Sequence, residues 1–280
     1  ERLRAISREI LITMQIQHPA VVSLYGYSPI NFLRMDYPVS ITRYVGESSL
    51  RAFFKTQKSS QVSDDYSPTD TLIIIYGIAS AMAALHAHNV IIPNFQPDHV
   101  LLTDDYKPYL FDYCTDLCEN SFEYLVYIAP EYHKNKTCTP ASNVYSFGIL
   151  LYEFLTGLTP FRNLSPQSTY KLIKTVVSGR RPEIPDNSIP LSYKHLIERC
   201  WASDPSDRPT FNDIVNELVD KNGDIIVFNE PYDRIAASKY RFNELYKLEN
   251  VEMNLVKEYV ESLENKFQIV SSNRDLSKYK

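Results

Sequence analysis

Asn94, Gln96, Asp98 and His99 stand close together in the stretch IPNFQPDH, and Asp112 follows in DYC. An imidazole and a carboxylate can hold a metal, although Mg²⁺ prefers oxygen ligands. A carboxamide cannot take a proton at neutral pH, so neither Asn94 nor Gln96 can act as a general base. Cys114 and Cys118 are spaced so that a helix would put both thiols on one face, where they could ligate a metal. No second ligand pair follows at zinc spacing. The four cysteines, Cys114, Cys118, Cys138 and Cys200, therefore read as reduced thiols of a cytoplasmic protein. A backbone-amide cradle for phosphate needs glycine, and the 280 residues hold 7 Gly against 21 Tyr, with no G-x-G-x-x-G.

Composition narrows the classes further. Hydrophobic residues make up 44% and charged residues 22%, which excludes a disordered or fibrous chain. The net charge of −5 leaves no basic field for nucleic acid or anionic lipid. No unbroken apolar run reaches about 18 residues, so no membrane span is expected. No signal peptide opens the chain. It starts at Glu1 rather than Met, which is expected of a fragment, a processed product or an incomplete chain.

Several elements must position these groups. Ile6, Ile10, Leu11, Met14 and Ile16 form a helical stripe over 4–17, ended by His18-Pro19. Residues 20–45 are rich in β-branched and aromatic types and read as two or three antiparallel strands. A short helix starts at Leu50–Phe54, and 57–70 is a polar loop. A long apolar helix spans 71–88, with Thr69 or Asp70 as its N-cap. Short strands and loops fill 90–111. Residues 144–156 are apolar on nearly every side and predict a buried central helix, capped by Gly157. Further helices are expected at 167–178, 190–201 and 209–220, the last with Pro209 in its first turn. Beyond 221, Leu245, Leu248, Val251, Leu255, Tyr259, Leu263 and Phe267 form an amphipathic stripe. It predicts a helix docked on the domain; a partner-binding coiled coil is the sharper alternative. The layout is α+β.

The segments 75–86 (IYGIASAMAALH), 96–102 (QPDHVLL), 112–114 (DYC), 129–131 (APE), 144–148 (VYSFG), Pro160-Phe161, Cys200-Trp201 and 208–211 (RPTF) stand in one order. That order and spacing resembles the eukaryotic protein kinase superfamily, most closely its tyrosine-kinase-like group, over about residues 1–220. The resemblance implies a protein-kinase-like fold. Residues 1–47 would be an incomplete small lobe, 48–220 the large lobe and 221–280 a C-terminal helical extension.

Kinase chemistry is positioning plus electrostatics, and the resemblance assigns each part a residue here. Asn94 falls at the base Asp and Gln96 at the catalytic Lys. His99 falls at the metal-binding Asn and Pro93 at the Arg that clamps a phosphorylated activation loop. Asp112 keeps the metal-binding carboxylate, one weak Mg²⁺ ligand, while Cys114 replaces the following Gly. Glu9 falls at the small-lobe Glu whose Lys partner has no place in this chain. Thr42 stands at the gatekeeper, and Arg43 and Tyr44 lead into a hinge whose backbone could still bond adenine. Thr115, Ser121, Tyr124 and Tyr127 fall in the activation segment as possible phosphosites. Glu131 and Arg208 match a structural ion pair with Trp201 beneath it, and Asn143 stands where an Asp braces the catalytic loop.

Losing a general base alone costs about 10²–10⁴-fold in rate. The resemblance therefore implies a pseudokinase, a signalling or interaction module among other signalling proteins. ATP and Mg²⁺ are its possible but doubtful cofactors. The alternative is an ATP-dependent protein kinase transferring the γ-phosphoryl group to Ser, Thr or Tyr, with Asp98 or His99 as replacement base.

Overall fold

The computed structural model describes residues 16–28, 30, 34, 39–46, 48–58, 68–111, 121–166, 168–186 and 188–218, together with positions 258 and 262. Strand β1 (Leu24–Ser28) pairs antiparallel with β2 (Val39–Thr42). A second antiparallel sheet runs in the order β3 (Ser48–Ser49), β4 (Val100–Leu102), β5 (Pro108–Leu110). Ser48 faces Leu102, and Val100 faces Leu110. Residues 20–22 lace onto β5: Leu110 donates to the Ala20 carbonyl and accepts from the Val22 amide, both at 2.8 Å.

Helix α1 (Leu50–Lys58) continues directly from β3, and α2 (Pro68–Ala87) follows. After the sheet come α3 (Phe122–Leu125), α4 (Pro130–Asn135) and α5 (Pro140–Thr156). Then come α6 (Thr169–Val177), α7 (Leu191–Cys200) and α8 (Phe211–Leu218). This is the expected α+β kinase-like layout, a small antiparallel region followed by a helical body.

The predicted central helix is α5. Every residue from Ser142 to Thr156 is buried. Pro140 starts it in the first turn, and Gly157 ends it at φ 68°, a left-handed angle that a Cβ disfavours. Helix α7 crosses it so closely that a Cβ on Gly148 would lie 2.8 Å from the Cys200 Cβ. Helix α2 packs on α8 and β5. Its stretch Asp70–Ala87 is long and apolar enough to cross a bilayer, contrary to the expectation that no segment would be. Here 72% of it is buried inside the domain, so it serves as core.

Two helix starts differ from expectation. Helix α2 begins at Pro68, whose fixed φ suits a first-turn position, so Thr69 and Asp70 lie inside the helix rather than capping it. Helix α8 begins at Phe211. The Thr210 amide donates to Asp213 Oδ2 at 2.9 Å and the Asp213 amide donates to Thr210 Oγ1 at 3.2 Å. That reciprocal cap leaves Pro209 outside the helix. Residues 4–15 of the predicted first helix lie outside the described residues, and Ile16 and Gln17 are not helical. The predicted C-terminal helix is described only at Glu258 and Ser262, both helical.

His18 ends the first segment and makes the fold sensitive to acid. Its Nδ1 accepts from the Ala20 amide at 3.1 Å, which leaves the ring proton on Nε2, 3.0 Å from Ser80 Oγ. Burial lowers its pKa from 6.5 to about 4. Between those values the unfolded chain binds a proton that the folded chain refuses. Stability is therefore full above pH 6.5 and falls towards pH 4, by about 3 kcal/mol from this group. Urea midpoints at pH 7 and pH 4.5 will show the fall, and His18→Gln will flatten it. An unchanged slope in His18→Gln would refute this assignment.

Candidate functional site

The loop between α2 and β4 carries the residues first singled out. Ile92, Phe95 and Val100 are fully buried and pin it to the core. Pro97–His99 forms a single 3₁₀ turn in which the His99 amide donates to the Gln96 carbonyl at 2.9 Å. The His99 carbonyl accepts from Phe111, so the loop is tied to the end of β5. Asn94, Gln96 and His99 are all buried. Both amide atoms of Asn94 and the Gln96 Oε1 find no hydrogen-bond partner.

Asn143 of α5 holds the loop from below. Its Oδ1 accepts from the Ile92 amide at 3.0 Å and its Nδ2 donates to the Ile92 carbonyl at 2.5 Å. One carboxamide thus satisfies both backbone groups of Ile92. The next residue, Pro93, has no N–H to offer. His86 Nε2 lies 3.1 Å from Asn143 Oδ1 and stacks edge-on against Phe211. Burial lowers the His86 pKa, the bond to Asn143 opposing it.

Asp98 is bound elsewhere. Arg51 of α1 donates from Nε to Asp98 Oδ2 at 3.0 Å, and from Nη1 to Tyr127 Oη at 3.2 Å and Glu153 Oε2 at 3.3 Å. Tyr127 in turn donates to Glu153. Burial first, then the Glu153 charge, pushes the Tyr127 phenol well above its usual range. This network joins α1, the loop, the segment before α4 and the central helix. The sequence reading missed Arg51. The available signal was Glu153, a lone carboxylate in an apolar helix, because a buried charge demands a partner.

A second ion pair ties the segment before α5 to the turn before α8. Arg208 donates to Glu131 from Nη1 at 2.7 Å and Nη2 at 2.9 Å. It also bonds the Ala141 carbonyl at 2.8 Å and the Ala202 carbonyl at 3.0 Å. Burial alone would raise the Glu131 carboxyl, but the Arg208 hydrogen bonds and charge hold it below its usual value. The ring over which Arg208 lies is that of Tyr145, at 5.3 Å. Trp201 is buried and packs on Tyr152.

The family model for protein tyrosine and serine/threonine kinases matches residues 1–218. The chain belongs to this kinase family. A serine/threonine/tyrosine-protein kinase of Arabidopsis thaliana is 32% identical over 219 residues, covering 75% of this chain and 53% of that protein. A probable serine/threonine-protein kinase of Dictyostelium discoideum is 29% identical over 226 residues, covering 78% of this chain and 16% of that protein. A dual specificity protein kinase of the same organism is 28% identical over 217 residues, covering 75% of this chain and 15% of that protein. This chain thus spans about half or less of the relatives' own length.

Asn94, Gln96 and His99, which the resemblance assigns to the catalytic loop, lie on one loop, and all three are buried. Glu9, Asp112, Cys114 and Cys118 lie outside the described residues. Thr42, Arg43 and Tyr44 are exposed where β2 ends, and the Arg43 amide is already bonded to the Ser23 carbonyl at 3.0 Å. Tyr127 is 1% exposed, which closes it to modification in the folded domain. Ser121 is exposed and Tyr124 half-buried. Among the described residues, no group of three or more His, Cys, Asp or Glu could hold a metal ion.

Proposed function

We propose that the chain is a pseudokinase of the tyrosine-kinase-like group, acting as a signalling or interaction module in the cytoplasm with other signalling proteins as partners. One observation carries the reading: the catalytic loop presents carboxamides, Asn94 and Gln96, while its carboxylate, Asp98, is bonded to Arg51. Neither carboxamide can accept the proton of an attacking hydroxyl, and the Asp98 carboxylate is committed to Arg51. The proposed kinase-like domain spans 1–220, divided at residue 47, with 221–280 as an extension. Exposed apolar residues on the β1–β2 sheet, Tyr25 at 65% and Ile41 at 50%, support a small lobe completed by further chain. ATP with Mg²⁺ as a working cofactor is disfavoured by the donors the loop offers, and no role with nucleic acid is proposed.

The alternative, an active protein kinase, has one observation in its favour, namely that the relatives are named as kinases. A phosphoryl-transfer assay on the full chain with radiolabelled ATP and a mixed protein substrate separates the two. No transfer above background is expected from the unmodified chain. Transfer that survives Asn94→Ala would show another base at work, and robust transfer by the unmodified chain would overturn the pseudokinase reading.

A further inference from the structure

The end of α2 and the starts of α5 and α8 surround one cavity of about 440 Å³. That volume falls in the roughly 300–1,000 Å³ range of small-molecule sites. Ala83, Ala87, Ala141 and Val144 give it small apolar walls. Pro140, Pro205, Pro209 and the Phe211 ring give it flat ones. Neither Asn94 nor Gln96 lines it, so the cavity is distinct from the loop described above.

One polar atom on this wall is unmet. His86 lines the cavity, with its ring edge-on to Phe211. Asn143 Nδ2 is committed to the Ile92 carbonyl, which fixes Oδ1 as the atom 3.1 Å from His86 Nε2. That oxygen can only accept, so Nε2 carries the ring proton and Nδ1 keeps a lone pair. Burial lowers the His86 pKa, which leaves the ring neutral at pH 7. Among the described residues no donor reaches Nδ1, yet the atom is not sealed in the core. The open space that His86 borders is this cavity.

The other polar groups narrow what fits. Arg208 has all three of its nitrogens committed, to Glu131 and to the Ala202 and Ala141 carbonyls. The Thr210 hydroxyl donates to Asp213 at 2.6 Å, and the Thr139 amide donates to Ser142 Oγ at 3.1 Å. Asn212 is exposed to water. An anion would therefore meet no uncommitted cation and would face the Nδ1 lone pair. Among the described residues no carboxylate lines the cavity to receive a cation. Water can donate to Nδ1, but it leaves the apolar walls wet. A flat apolar molecule with one donor replaces that bond and covers the walls as well.

We propose that this cavity binds a small neutral planar ring carrying one N–H or O–H donor, which His86 Nδ1 accepts. The site stands whether or not the chain transfers phosphate. The probe is indole. The same ring without its donor is 1-methylindole, and the same ring with a negative charge is indole-3-carboxylate.

The experiment is an NMR titration of the full chain carrying ¹⁵N-labelled histidine, with the His86 Nδ1 resonance assigned by its loss in His86→Phe. Indole is expected to saturate, to shift that resonance and to bind about fivefold more tightly than 1-methylindole, the effect of one net hydrogen bond. Indole-3-carboxylate should bind more weakly than indole. His86→Phe keeps a ring against Phe211 and should bind indole and 1-methylindole equally. That variant also breaks the bond to Asn143, so Ala83→Leu supplies an independent arm. It keeps His86 and fills the cavity, and should abolish indole binding without lowering the melting temperature of the ligand-free chain. No saturable indole binding, an unmoved His86 resonance, equal binding of the two indoles by the unmodified chain or tighter binding of the carboxylate would overturn the proposal. So would unchanged indole binding in Ala83→Leu, or a lowered melting temperature there, which would show that the space is already filled.

Discussion

Replacing Arg208 with Met will cost the domain about 3–5 kcal/mol, the range for breaking one side of a buried ion pair. The Arg208 side chain is 0% exposed and serves both oxygens of Glu131 and two backbone carbonyls. Methionine fills similar space but leaves all four acceptors without their donor. Glu131 would keep the Ser142 hydroxyl, at 2.9 Å, but lose its guanidinium partner. Its carboxyl would then drift upward in pKa and take a proton more readily. Arg208→Lys should recover little, because one ammonium cannot span a bidentate carboxylate and two carbonyls in divergent directions. The double change Glu131→Met with Arg208→Met should cost less than the sum of the single changes. Urea unfolding at pH 7 reads the unmodified chain, Arg208→Met, Arg208→Lys, Glu131→Met and the double variant. A loss below about 1 kcal/mol in Arg208→Met would mean that the pair is solvated or replaceable.

That ion pair was legible in the sequence because Glu131 and Arg208 lie in segments whose order resembles the kinase family. The central helix was legible for a different reason, the nearly unbroken apolar run closed by Gly157. What spacing could not supply was side-chain destination. That the Tyr145 ring meets the Arg208 guanidinium is decided by packing, which no spacing in the sequence states. Arg51 lies on a short, partly exposed helix, where an arginine usually reaches solvent. Its role depends on Glu153, which lies on another element far along the chain. Tyr127 stands among the possible phosphosites of the activation segment by position, but the same network draws it inside. Boundaries failed where proline was placed by habit. Pro68 opens its helix, whereas Pro209 lies outside a cap made by Thr210 and Asp213. The catalytic loop was legible in identity, since Asn94 and Gln96 follow from alignment to Pro97. Their burial without partners was not, because hydrogen bonding is a property of the folded neighbourhood.

Asn143→Asp will destabilise the domain by about 3–5 kcal/mol, although the kinase family places Asp at this position. The reason lies in Pro93. A carboxylate can only accept, and the described donors near position 143 are the Ile92 amide and His86. With proline next in the chain, no second backbone N–H is available. The present carboxamide resolves this by turning its NH₂ towards the Ile92 carbonyl. Aspartate would lose that bond, face the carbonyl oxygen with its own oxygen and bury a charge. Asn143 and Pro93 therefore form a matched pair, in which a neutral brace suits a loop short of one donor. Pro93→Ala restores the N–H, so Asn143→Asp should cost at least about 1 kcal/mol less in that background. A double-mutant cycle by urea unfolding measures this coupling directly. Strict additivity would separate the two positions and leave Asn143 as an ordinary buried amide. Coupling of the expected sign would mean that restoring Asp at 94 and 143 cannot rebuild a charged catalytic loop while Pro93 remains.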